Sequence, residues 1–105
     1  MFEITKITFW GEPRAGFLKY VVVEIFDQNH IIGLGIRGMK LIERRDKSIF
    51  LAMPARKKMD DTHEDIVYPI TPRSREFIEG KVLQAYSRYR QDPRKYEEEN
   101  IIQRT

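Results

Sequence analysis

The chain has 105 residues, 41% hydrophobic and 33% charged, a net charge of +3 and no cysteine. That balance predicts one globular domain and excludes wholesale disorder, disulfides, thiolate nucleophiles and zinc–thiolate sites. No apolar run approaches the roughly 18 residues of a membrane span, and MFEITKITFW lacks the basic and apolar regions of an export signal, so a cytoplasmic protein without membrane contact is expected.

In chain order, FEITKITF alternates loosely between apolar and polar positions, as a strand does, and GEPRAG supplies the glycines and proline of a turn. LKYVVVEIF is rich in β-branched and aromatic residues. It is followed by the polar turn Asp27 to His30 and a second apolar run, HIIGLGIRGMKLI, which predicts a long antiparallel hairpin. Gly33, Gly35 and Gly38 fall within that strand and imply a bulge, a bend or a close backbone approach. They also match G-x-G-x-x-G, but the strand-to-helix context of a dinucleotide loop is missing. Residues Glu43 to Ser48 turn the chain into SIFLAMP, where Pro54 ends the strand by denying the ladder an N–H. Met59 to Asp65, with four carboxylates and one histidine, reads as a solvated connecting turn rather than a metal site, and IVYPI as a last short extended piece.

Thr71-Pro72 then reads as a helix cap with proline at the first helical position. Ile78, Val82, Ala85, Tyr86 and Tyr89 recur at three- and four-residue steps, the mark of an amphipathic helix over residues 73–90. The expected fold is therefore α+β: a small antiparallel meander of four to five strands followed by a C-terminal amphipathic helix, in one domain over residues 1–92. Residues 93–105 are expected to be a charged tail with no assigned role.

The charge is segregated. Residues 36–59 hold eight bases and two acids, residues 71–95 hold seven bases and three acids, and residues 60–70 hold four acids and no base. Such blocks suit a polyanion, because Lys and Arg that neutralise phosphates release condensed counterions. On the helix, Phe77, Lys81, Gln84 and Arg88 form one stripe beside the apolar face, where an aromatic could stack on an unpaired base while cations hold phosphates. Arg73 and Arg75 lie in the first turn, where the helix dipole and free backbone N–H groups also favour anions. Arg75 falls among the apolar positions and must snorkel, pair with a carboxylate such as Asp65, or face a groove. His30, His63 and the three serines show no spacing of nucleophile, base and orienter, so neither catalysis nor a cofactor is expected.

IFLAMPARKK and DIVYPITPRSREFIEGKVLQAY resemble the stage V sporulation protein G (SpoVG) family, the septation-protein regulators, over roughly residues 1–90. The chain departs from the family pattern at Ser48, Tyr68 and Thr71-Pro72, and in the absence of a glycine from DDTHED. The resemblance implies a homodimer and a regulator of gene expression and septation that binds DNA and also RNA. By position it implies contacts from Arg56, Lys57 and Lys58 in the loop and from Arg73, Arg75 and Lys81 on the helix. The alternative expectation is a protein-interaction module acting on division or septation proteins, marked by a large exposed apolar patch.

Overall fold

The computed structural model describes residues 2–103, and side chains through residue 99. Four strands form an antiparallel meander in the order β1 (Phe2–Trp10), β2 (Phe17–Asp27), β3 (Gly33–Glu43), β4 (Ile49–Ala52). A separate two-stranded hairpin follows, β5 (Ala55–Lys57) with β6 (His63–Asp65), and then two helices, α1 (Pro72–Gln91) and α2 (Pro93–Gln103). Among the described residues no helix is long and apolar enough to cross a membrane.

Strict alternation would not keep the apolar residues of these strands on one face; three bulges do. The register slips at Thr5, so that Ile4 opposes Ile25 and Ile7 opposes Val23. Phe2, Ile4, Ile7 and Phe9 thereby share a face despite the uneven spacing of the sequence. A second slip absorbs Arg37 and Gly38, setting Ile36 opposite Val23 and Met39 opposite Val21. Gly38 has φ +88°, a left-handed conformation that glycine adopts without a Cβ penalty. The third bulge lies at Leu18. Gly33 serves the close approach: the Phe26 ring lies over it, and a methyl there would sit 2.5 Å from a ring carbon. The G-x-G-x-x-G run thus lies within β3, as its strand-like context implied.

The face so assembled carries Val21, Val23, Met39, Leu41 and Leu51, all fully buried beneath Val82 and Ala85 of α1. Thr71 caps α1, its hydroxyl accepting from the Ser74 N–H at 3.0 Å, with Pro72 next, as the sequence predicts. The residues after Asp92, read from sequence as a charged tail, contain α2, whose Tyr96 is 5% exposed, packs beside Phe9 and donates its hydroxyl to the Ile7 carbonyl at 2.5 Å. The sequence reading also misplaced the last strand. It falls at His63–Asp65 inside the acidic segment, while residues 66–70 form no strand. β6 can pair there because its ladder needs backbone groups only, and all six residues of β5 and β6 are exposed.

Candidate nucleic-acid interface

The two basic blocks sit in different surroundings. Arg56 and Lys57 lie on β5, Lys58 at the start of the following turn. Across the hairpin, Arg56 Nη2 is 3.3 Å from Glu64 Oε2, and Lys57 Nζ is 3.1 Å from Asp61 Oδ1. The acidic run is therefore the partner strand and turn of the basic run, and two of its three cations are neutralised locally. The turn repeats the one joining β3 to β4. In both, the first residue's N–H donates to the carbonyl four residues on, as Arg44 to Ser48 and Lys58 to Thr62, and the fourth residue is left-handed, Lys47 at φ +73° and Asp61 at φ +67°. Asp46 and Asp60 occupy the same place in the two turns, each accepting from the backbone N–H and the hydroxyl two residues on. Those hydroxyl bonds, from Ser48 and Thr62, are the main reason both carboxyls titrate below their ordinary value.

On α1 the cations separate by role. Arg75 is turned to the sheet: its Nη2 donates to the Leu51 carbonyl at 2.9 Å, and Glu79 accepts from the Leu51 N–H at 3.0 Å. Arg75 and Glu79 are themselves 4.0 Å apart. Together they satisfy both backbone groups of Leu51 on the outer side of an edge strand, which would otherwise offer a pairing site. The carboxylate partner of Arg75 is thus Glu79, one helical turn away, and not Asp65.

Arg73, Lys81 and Arg88 are exposed and line the space between α1 and the edge of β1. One hollow of about 430 Å³ is bordered by Phe2, Ile4, Ile25, Arg73, Phe77 and Ile78. A second, of about 560 Å³, is bordered by Ile4, Thr5, Lys81, Gln84, Ser87 and Arg88. Both reach Ile4, so the helical stripe expected from sequence forms one wall of a groove. Phe77 is 54% exposed, with the Lys81 ammonium 5.7 Å from its ring centre, and Arg88 lies over Tyr96 at 5.6 Å. The groove therefore combines three cations with an accessible ring. Among the described residues, the β5–β6 hairpin makes no ion pair with these cations and no extensive packing with α1.

Residues 2–88 match the family model described as SpoVG. The chain belongs to the SpoVG family. Relatives named "Putative septation protein SpoVG" include one from Agathobacter rectalis, 33% identical over 84 residues that span 80% of this chain and 91% of the relative. Those of Archaeoglobus fulgidus and Clostridium beijerinckii are 28% and 31% identical over 86 residues, spanning 82% of this chain and 95% and 89% of theirs. The SpoVG match ends within α1, so Tyr96, which donates to Ile7 inside the match, lies beyond it.

Proposed function

We propose that this SpoVG-family chain is a cytoplasmic nucleic-acid-binding regulator, a binder and not an enzyme, that grips phosphates of DNA or RNA along the α1 groove. The observation that carries this is the line Arg73, Phe77, Lys81, Gln84, Arg88 along one wall of that groove. Its cations form no ion pair with a carboxylate among the described residues. No carboxylate occupies the first turn of α1, so its dipole adds to Arg73. Of the residues implied by resemblance, Arg73 and Lys81 suit this role best. Lys58, in the hairpin turn, forms no ion pair among the described residues. Arg56 and Lys57 must first part from Glu64 and Asp61, and Arg75 from Leu51. The relatives' names support a role in septation. Fluorescence anisotropy with labelled DNA and RNA over a series of salt concentrations tests the reading; saturable, salt-steep binding is expected, and none at low salt would refute it.

A second reading is favoured by the apolar end of the same groove. The covered face of the sheet runs on past α1, leaving Phe2, Leu34, Tyr68 and Phe77 exposed around half-buried Ile4, Ile25 and Ile36. An apolar patch at that place suits a second copy, which would make a homodimer, or a septation protein. Leu34→Asp with Tyr68→Asp is expected to yield monomer in sedimentation if the copy is the occupant; an unchanged dimer would exclude this patch.

A further inference from the structure

The face of the four-stranded sheet that points away from the helices has its own chemistry. Register places Trp10, Tyr20, Lys40 and Ala52 in one row across all four strands, and Phe17, Ile42 and Phe50 in the next. Both helices and residues 67–69 pack on the opposite face, against Ile7, Val23, Ile36, Met39 and Leu51. Trp10 is 54% exposed and stacked on Tyr20 with ring centres 4.3 Å apart; Tyr20 in turn meets Phe17 at 4.7 Å. The Arg44 guanidinium lies 4.2 Å over Phe50, and that of Arg14 lies 5.6 Å from Phe17. Lys40 is exposed between these rings and pairs with no carboxylate among the described residues. Neither row contains an acid.

We propose that this aromatic and basic sheet face is a stacking platform for the unpaired bases of a single-stranded nucleic acid. The proposal rests on the reading of the chain as a nucleic-acid binder and adds a second, separate surface to it. Flat rings accept any base on its π-face, and neighbouring Lys or Arg holds the backbone. Duplex bases are hidden from such a face, which selects the single strand. From Trp10 on β1 to Phe50 on β4 are three strand spacings, about 14 Å, room for more than one base. A second copy fits less well, because a two-fold contact centred here would bring the cations Lys40, Arg14 and Arg44 of one copy together with the same three of the other, with no acid in either row to offset them.

Trp10 is the chain's sole tryptophan, so it reports on its own surface. The full chain is titrated with end-labelled oligo(U) and oligo(dT), and with a duplex of equal length, following label anisotropy and Trp10 fluorescence together. Single strands are expected to quench Trp10 with the same midpoint as the anisotropy rise. Trp10→Leu, checked for native circular dichroism, is expected to weaken single-strand binding about 5- to 150-fold, the range of one lost stacking contact, Lys40→Glu to weaken it and lower its salt slope, and both to leave duplex binding unchanged. A rise in anisotropy with Trp10 undisturbed would overturn this platform while leaving nucleic-acid binding intact. No rise at low salt would overturn both. A Trp10 shift that follows protein concentration without oligonucleotide, with dimer in sedimentation, would assign the face to a second copy instead.

Discussion

The β5–β6 hairpin and helix α1 carry basic runs of similar density, yet they offer different surfaces. In the hairpin the acidic run folds back on the basic one, and Arg56 and Lys57 find carboxylates on the facing strand and turn. On α1 the periodicity divides the cations. Arg75 is drawn to the edge of the sheet, while Arg73, Lys81 and Arg88 remain along the groove. A charge run is therefore not yet a charged surface; the partner element decides how much of it stays available.

Local stability should show the largest contrast. The hairpin buries none of its six strand residues, and an isolated two-stranded ribbon is marginal in water. Its amides are expected to exchange with almost no protection in native-state hydrogen exchange, whereas those around Val21, Val23, Met39 and Leu41 exchange at the rate of global unfolding. Comparable protection in both would mean that the hairpin is held by contacts the fold does not contain.

Arg75 sharpens the comparison next. Arg75→Ala leaves the part-buried Leu51 carbonyl without its donor, at a cost of about 1–2 kcal/mol. The urea midpoint should fall with an unchanged slope. Binding by the folded variant should keep its salt dependence; a lowered salt slope with stability intact would return Arg75 to the phosphate-binding set. Tyr96→Phe removes a buried hydrogen bond to Ile7 and is expected to cost about 1 kcal/mol. An unchanged urea midpoint would separate α2 from the fold.

The smallest effect concerns the paired turns. Asp46 and Asp60 titrate below their ordinary value because serine and threonine hydroxyls bond the ionised form. Their contribution is thus present above the ordinary carboxylate pKa of about 3.9 and fades as pH falls through and below it. In thermal melts, Asp46→Asn or Asp60→Asn should be slightly less stable than the wild type at neutral pH, with the gap closing on acidification. A gap that widens in acid would contradict the assigned cause.

Where the local chemistry is decisive, the sequence was readable. Thr71-Pro72 set the start of α1, the three- and four-residue steps set its buried face, and Gly38 marked a bulge. The helical stripe was legible for the same reason, since a fixed turn per residue maps sequence onto surface. Features that depend on distant backbone were not. Glu79 stands at the i+4 spacing from Arg75, but the Leu51 groups they share lie on another element. Tyr96 is a lone aromatic in a charged segment, with no periodicity to show that it is buried. β6 alternates nothing because neither side of it is buried. A usable signal was the repeat of Arg44-Arg45-Asp46-Lys47-Ser48 in Lys58-Met59-Asp60-Asp61-Thr62, two turns with one hydrogen-bond pattern.

The most direct test of the central claim is the salt dependence of DNA and RNA binding, measured by anisotropy for the wild type, an Arg73/Lys81/Arg88 alanine variant and an Arg56/Lys57 alanine variant, each checked for folding. The log–log salt slope should shrink by about three for the helix variant, one per lost phosphate contact, and by less than about one for the hairpin variant. The reverse order would place the phosphate-binding surface on the hairpin, and equal losses would spread it over both elements; either result would contradict the assignment to α1.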